Sequence, residues 1–322
     1  MSTSRTRKPP RRLPDMDGVR TRTVDLAFAA GWAVVKAVPE AVAARAFRAV
    51  GELTAQRDGP RVQQLRRNLR RVIGPGPSEF ELNELVHAAM RSYARYWLET
   101  FRLPKMNLGA ISRRIEATTE GMEYIDAAMA AGKGLVLALP HMGNWDVAGI
   151  WLIHHGVPFT TVVERLKPES LYARFVAYRE RLGMEVLPLT GGTGPVTEVL
   201  TQRLLAGHCL CLLADRDLSR SGVTVSFFGE TARMPAGPAM LAAMTGAALC
   251  PVGLWYVPDG GWGQRIKPPI NIGTGRLRDR VQKGTQALAD QFAVEIAQHP
   301  QDWHMLQRLW LNDIPEVAMR RD

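Results

Sequence analysis

From about residue 115 onward, short apolar runs alternate with helical runs, and this alternation constrains the fold more than any other feature of the sequence. The apolar runs are rich in β-forming residues, which is typical of strands buried on both faces of a sheet. Because helical runs separate most of them, we expect an α/β fold with a central, mostly parallel or mixed sheet flanked by helices. The strand candidates are Leu135–Leu139, Phe159–Val163, Val186–Leu187, Cys209–Leu213, Val223–Phe227 and Leu249–Trp255, and the helical runs are Val147–His155, Leu171–Arg181, Val196–Ala206, Pro238–Met244 and Leu277–Ile296.

The first of these strands leads into Pro140-His141-Met-Gly-Asn-Trp-Asp146. Ligands of parallel sheets bind at the carboxyl ends of strands, which is where His141 falls. A neutral imidazole there can act as a general base, and Asp146 can fix its tautomer and stabilise the imidazolium. On one helix a five-residue spacing turns two side chains apart, so we expect His141 before a helix and Asp146 in its first turns, with Gly143 and Asn144 as turn or cap. Such a pair also arises by chance, so the argument rests on its position.

Polar side chains recur where later strands end. Glu164 follows the second strand candidate, Asp215 follows the fourth, and Arg179 lies on the helical run after Glu164. Carboxylates at successive strand ends can hold the hydroxyl groups of a polyol, and Arg suits phosphates. Glu164, Arg179 and Asp215 are therefore candidate substrate-binding residues. Surface ion pairs among Asp215, Arg216 and their neighbours are an equally open interpretation.

The first 110 residues have a different character. Residues 1–20 are basic and contain prolines, which predicts a flexible tail. Residues 21–110 read as a helical, membrane-associating region, with Pro39 opening one helix, Gly74-Pro-Gly-Pro77 ending another and Ser78-Glu-Phe-Glu81 starting a third. We expect residues 111–322 to form a single catalytic α/β domain.

The net charge of +10 indicates an anionic partner, which leaves nucleic acid, a membrane surface or an acidic ligand. A solvated basic tail or helix face is the alternative for any one cluster. The apolar stretch from Leu26 to Val35 is only half the length needed to span a bilayer, so we expect a protein that lies on a membrane without crossing it. The clustered basic residues are Arg5, Arg7, Lys8, Arg11, Arg12, Arg20, Arg22, Arg66, Arg67, Arg70 and Arg71.

Several chemistries find no support in the sequence. The three cysteines, Cys209, Cys211 and Cys250, form no even-numbered disulfide framework and read as small core residues in a reducing compartment. No Cys/His cluster has metal-ligand spacing, and neither a P-loop nor a GxGxxG motif occurs, so we predict no metal. No GxSxG motif marks a serine nucleophile.

With these residues in view, the sequence resembles the HX4D/E superfamily of glycerolipid and lipid A acyltransferases, and its lipid A branch in particular. The resemblance spans roughly residues 60–315. The segments that carry it are Arg66–Leu69, His141–Asp146, Phe227–Gly237, Thr245-Gly-Ala, Pro251-Val and Pro300–Trp310.

Within that branch, the chain looks most like actinobacterial members that acylate phosphatidylinositol mannosides. The resemblance implies that a long acyl chain, usually palmitoyl, moves from acyl-CoA to the 6-hydroxyl of the inositol-2-linked mannose. It also implies a peripheral enzyme at the cytoplasmic face of the plasma membrane, with no cofactor because acyl-CoA is the donor substrate. By the same resemblance His141 is the base and Asp146 its partner, Glu164 and Arg179 contact the mannose and nearby polar groups, and a carboxylate near Asp215 completes the site.

The expected chemistry is direct transfer within a ternary complex, because no activated Ser or Cys accompanies the histidine. Backbone amides near Gly143–Trp145 are candidate oxyanion donors. One rival is a sibling acyltransferase with another donor or acceptor, such as acyl carrier protein and a lipid A-like disaccharide. The other is a non-enzymatic basic protein that binds membrane or nucleic acid. It leaves His141 and Asp146 unexplained, so we expect no nucleic-acid partner.

Overall fold

The computed structural model describes residues 31–164, 169–191, 195–217 and 222–314. The predicted tail at residues 1–20 and the start of the apolar stretch at Leu26 lie outside them. Residues 31–37 are helical. The α-helices that follow are α1 (Glu40–Gln56), α2 (Pro60–Ile73), α3 (Glu79–Arg102), α4 (Leu108–Glu116), α5 (Met122–Ala130), α6 (Trp145–His154), α7 (Glu169–Arg181), α8 (Val196–Leu205), α9 (Gly237–Thr245) and α10 (Leu277–Gln298). The strands are β1 (Thr119–Glu120), β2 (Leu135–Leu139), β3 (Phe159–Val163), β4 (Glu185–Pro188), β5 (Cys209–Leu213), β6 (Val223–Phe227), β7 (Glu230–Met234), β8 (Ala248–Tyr256) and β9 (Trp262–Ile266).

Among the described residues, seven strands form one sheet in the order β1-β9-β8-β2-β5-β3-β4. Neighbouring strands run parallel except β8 and β9, which are antiparallel. The predicted mostly parallel or mixed sheet flanked by helices is therefore confirmed. Strand β2 lies at the centre with all of its residues buried, which explains why its sequence is a continuous apolar run.

The segment Val223–Gly237 differs from the prediction. Val223–Phe227 is a strand, but it pairs only with β7 in an antiparallel hairpin outside the main sheet. Strand β7, Glu230–Met234, is not among the strands expected from the sequence. The hairpin turns at Phe228 and Gly229, which have φ angles of 50° and 77°. Asn-Gly or Asp-Gly is the usual signal for such a turn, and a bulky residue in its first position hides it.

The helices on the N-terminal side follow their sequence signals. Pro39 stands at the N-cap of α1, and Gly74 ends α2 with a φ of 71°. Ser78 and Glu81 form the predicted capping box of α3. Helices α1 and α2 both pack against α3. The predicted domain boundary at residue 110 falls inside α4, and none of the described helices is long and apolar enough to cross a bilayer.

Candidate active site

His141 and Asp215 lie beyond the carboxyl ends of neighbouring parallel strands. β2 and β5 pair in a register that places Leu139 opposite Leu213, and each candidate follows two residues later. The backbone N–H of Ala214 still donates to the carbonyl of Leu139, at 2.8 Å. Because the ladder continues to this point, both side chains leave the sheet side by side.

Asp215 is a fully buried carboxylate that accepts three hydrogen bonds. Its Oδ1 lies 2.5 Å from Nδ1 of His141. Its Oδ2 accepts from the backbone N–H of His141 and from the indole N–H of Trp303, each at 2.9 Å. Burial raises the pKa of Asp215, but the charge of His141 and these hydrogen bonds outweigh burial and lower it. Asp215 is therefore ionised at neutral pH.

The partner of Nδ1 determines the tautomer of His141. An ionised carboxylate only accepts hydrogen bonds, so Nδ1 of the neutral ring carries the proton and Nε2 carries the lone pair. His141 lines a cavity of about 540 Å³, and 25% of its side chain is exposed. Nε2 is on the far side of the ring from Asp215, so it is the nitrogen that can take a proton from a bound group. This is the geometry of a general base.

Asp146 does not have the contact that its spacing from His141 predicts. It lies in the first turn of α6 behind the N-cap Asn144, as expected. Its carboxylate, however, accepts from Arg179, with 2.8 Å to Nε and 3.3 Å to Nη2. The prediction that Asp146 holds the imidazole is wrong, because Asp215 reaches Nδ1 from the adjacent strand and Arg179 on α7 takes both oxygens of Asp146.

The Asp146–Arg179 pair is itself buried in the cavity wall. Only 1% of the Asp146 side chain and 13% of the Arg179 side chain are exposed. Burial lowers the pKa of Arg179, but the effects that raise it, of which the Asp146 charge is the largest, outweigh burial. The net shift of the pKa is upward, and the guanidinium stays charged. Tyr96 packs nearby, and burial together with the Asp146 charge raises the pKa of its hydroxyl. Two fixed charges therefore face the cavity beside the base.

Glu164 lies at the exposed end of the same cavity. Its carboxylate is 3.1 Å from Nη2 of Arg216, and the two side chains are 53% and 20% exposed. The ion pair near the end of β5 therefore joins Arg216 to Glu164. Asp215 pairs with His141 instead. His141, Asp146, Glu164 and Arg179 all line the cavity, whereas Asp215 lies behind the histidine.

We call the polar part of the cavity lining, formed by His141, Asp146, Glu164 and Arg179, the mouth of the cavity. Most of the remaining lining is apolar. At Gly149 of α6 an added Cβ would lie 2.8 Å from Cε of Met184, so that side chain would have to shift to admit it. Such a cavity suits a ligand with a long apolar chain and a polar head. Within the described residues, no group of three His, Cys, Asp or Glu side chains is placed to hold a metal ion. The apolar lining includes Leu137, Leu139, Trp151, Leu152, Phe159, Met184, Leu213 and Leu241.

The turn between His141 and Asp146 is fixed by its backbone hydrogen bonds. Gly143 has a φ of 56°, and its N–H donates to the carbonyl of Asp302 at 2.9 Å. The side-chain oxygen of Asn144 accepts from the N–H groups of Asp146 and Val147, at 3.1 and 3.2 Å. Among the described residues, the N–H groups of Asn144 and Trp145 have no acceptor. The positive end of helix α6 thus keeps two donors unused.

His304 is a site residue for which the sequence offered no role. Its backbone N–H donates to the carbonyl of His141 at 2.7 Å, and His304 lines the cavity. A segment far along the chain therefore contributes to the site. Ser92 donates its hydroxyl proton to Asp302 at 2.7 Å and lies 2.9 Å from Nε2 of His304, so Nε2 must donate and Nδ1 carries no proton. Nδ1 has no partner in the described part of the chain. Burial, with a smaller effect of the His141 charge, lowers the pKa of His304 to about 3.

The chain is similar to known acyltransferases over nearly all of its length. Residues 14–312 match the family model described as bacterial lipid A biosynthesis acyltransferase. The phosphatidylinositol mannoside acyltransferase of Mycolicibacterium smegmatis is 52% identical over 300 residues, covering 93% of this chain and 95% of the relative. That of Mycobacterium tuberculosis is 51% identical over 303 residues, covering 94% and 93%. The lipid A biosynthesis acyltransferase of Haemophilus influenzae is 24% identical over 191 residues, covering 59% and 57%.

Proposed function

The chain belongs to the bacterial lipid A biosynthesis acyltransferase family and is an acyltransferase, and from this premise we propose that it transfers a long acyl chain, palmitoyl above all, from acyl-CoA to a phosphatidylinositol mannoside. The acceptor group is the 6-hydroxyl of the inositol-2-linked mannose. The observation that carries the proposal is the contact of Asp215 with Nδ1 of His141 beside an apolar cavity, which supports a role for Nε2 of His141 as the general base. The names of the 51–52% identical relatives support the acceptor.

The reaction follows from the tautomer of His141. Nε2 takes the proton of the acceptor hydroxyl while its oxygen attacks the thioester carbonyl carbon, and the carbonyl electron pair moves onto oxygen. The tetrahedral intermediate then expels the CoA thiolate by cleavage of the C–S bond, and the imidazolium returns the proton to sulfur. Asp215 stabilises that imidazolium throughout, so no acyl-enzyme is needed.

The remaining residues of the mouth have distinct tasks. The free N–H groups of Asn144 and Trp145 stabilise the oxyanion, while Gly143, one of the expected donors, is already bonded to Asp302. Asp146, Arg179 and Glu164 hold hydroxyl groups of the mannose and neighbouring polar groups of the acceptor. The acyl chain lies in the apolar part of the cavity.

The enzyme acts as a peripheral protein on the cytoplasmic face of the plasma membrane. Helix α1 supports this proposal, because Val42, Val50 and Leu53 are 51–59% exposed and lie on one face of the helix. Arg45 and Arg48 of the same helix are also exposed. The apolar side chains enter the interface and the arginines meet anionic lipids. Co-sedimentation should be stronger with vesicles containing phosphatidylinositol than with phosphatidylcholine alone.

The test compares wild-type protein, His141→Ala and His155→Ala. His155 is a matched control because Nε2 pairs with Asp126 at 2.8 Å, yet the residue lies outside the cavity lining. With radiolabelled palmitoyl-CoA and phosphatidylinositol mannoside, we expect labelled acceptor from wild type and His155→Ala. His141→Ala should lose roughly 10²–10⁴-fold in kcat, the usual contribution of a general base.

The same assay separates the rivals. An acceptor whose mannose lacks the 6-hydroxyl should stay unlabelled. Labelling of a lipid A-like disaccharide, or transfer only from palmitoyl-acyl carrier protein, would instead assign the chain to a sibling acyltransferase. Activity of His141→Ala near that of His155→Ala would contradict the assignment of the base.

A further inference from the structure

Glu99 of α3 is a buried carboxylate that has no part in the proposed chemistry. Only 8% of the residue is exposed, and it is absent from the cavity lining. Its Oε1 accepts from Nε of Arg95 at 2.7 Å. Its Oε2 accepts from Nδ2 of Asn144 at 2.6 Å and from the indole N–H of Trp262 at 2.9 Å, with the Tyr256 hydroxyl at 3.4 Å. Four donors thus converge on one charge.

The contact with Asn144 determines which way that amide points. Asn144 presents its NH₂ group to Glu99 and its oxygen to the N–H groups of Asp146 and Val147. A flipped amide would set its oxygen against a carboxylate and its NH₂ against two backbone donors. Only the observed orientation satisfies both ends, since a carboxylate solely accepts and an N–H solely donates. Glu99 therefore makes Asn144 the N-cap of α6.

The start of α6 is also where the proposed site depends on accurate placement. Asp146 lies in the first turn of this helix, and the N–H groups of Asn144 and Trp145 are the proposed oxyanion donors. Displacements of about 1 Å at such positions can cost a hundredfold in rate. We propose that Glu99 is a positioning residue for acyl transfer, which fixes the start of α6 relative to His141 through the Asn144 amide. This inference rests on the proposed function.

The test exchanges the roles of the two side chains. Asn144→Asp retains a capping oxygen but sets a second carboxylate against Glu99, so we expect kcat to fall roughly tenfold to a hundredfold while KM changes little. Glu99→Gln removes the charge and, when its oxygen faces Asn144, turns its NH₂ toward Arg95. In the double variant Glu99→Gln/Asn144→Asp the new amide can donate to the new carboxylate, so complementarity returns at this contact, although the Trp262 indole N–H loses its acceptor. We expect kcat of the double variant to exceed that of Asn144→Asp roughly tenfold.

Glu295→Gln is the matched control. Glu295 is a buried glutamate of α10 that pairs with Arg265 at 3.1 Å and Lys267 at 2.9 Å and, among the described residues, forms no hydrogen bond or ion pair with α6. The same chemical change there should lower the melting temperature and leave kcat unchanged. If the double variant is no faster than Asn144→Asp, Glu99 is merely structural and the proposal is overturned. A wild-type protein inactive with every donor and acceptor would instead count against the proposed function.

Discussion

Two buried aspartates flank the site, and they differ in what neutralises them. Asp215 lies behind His141 and accepts from one imidazole and two neutral N–H groups. Asp146 lines the cavity and is bound through both oxygens by the permanent cation Arg179. Asp215 can therefore respond to a proton that arrives on the imidazole, whereas the charge of Asp146 is already matched. In the proposed mechanism the orienting role therefore belongs to Asp215, which follows the neighbouring strand β5.

Of the two aspartate variants, Asp215→Asn should have the larger effect on turnover. An amide oxygen can still accept from the backbone of His141 and from Trp303, but its NH₂ group then faces Nδ1 and forces the proton onto Nε2. We expect kcat with acyl-CoA to fall roughly 10³–10⁴-fold, as in other sites where a base is held in the wrong tautomer. The free energy of unfolding in urea should change by less than about 2 kcal/mol. A kcat within tenfold of wild type would refute the role of Asp215.

Asp146→Asn should have a larger effect on stability and a smaller effect on activity than Asp215→Asn. It leaves the buried Arg179 guanidinium without its counter-charge, so the free energy of unfolding should fall by about 3 kcal/mol. Losing one charge-assisted contact to the acceptor should lower kcat/KM roughly 10–100-fold. The double variant Asp146→Asn/Arg179→Gln, measured by the same urea titration, should recover part of the stability. If Asp146→Asn instead matches Asp215→Asn in kcat at unchanged stability, the orienting role belongs to Asp146.

Much of the fold is predictable because it depends on local chemistry. Fully buried strands such as β2 appear in the sequence as continuous apolar runs. The N-cap of α3 is formed by Ser78 and Glu81, which are only three residues apart. Strand β9 was missed because its middle residues, Gly263, Gln264 and Arg265, show no apolar pattern. Gln264 is nevertheless buried and donates to Thr119, a partner that only the sheet order supplies.

In the site, too, some features follow from the local sequence and others depend on contacts between distant segments. The positions of His141 before α6 and Asp146 in its first turn follow from local spacing. The pairing of His141 with Asp215 depends on β2 and β5 being neighbours, and the contact of Trp303 with Asp215 depends on a bridge between Met142 and Trp303. Both the strand pairing and the bridge join residues that are far apart in the sequence. The partner of the base could therefore not be predicted from the His141/Asp146 motif.

A third buried titratable group, His304, tests whether burial without a charged partner keeps a group neutral in this site. Without a counter-charge its pKa is lowered to about 3, from 6.5. Between pH 6.5 and 3 only the unfolded chain binds this proton, so stability falls as pH falls; from pH 7 to pH 5 the loss is about 2 kcal/mol. Because the pKa of Asp215 is lowered from 3.8, its own contribution is lost only at more acidic pH. Urea unfolding should therefore show an acid-dependent loss about 2 kcal/mol smaller in His304→Gln than in wild type. Equal losses would mean that His304 takes up a proton within the folded protein, and burial alone would then not keep a group neutral in this site.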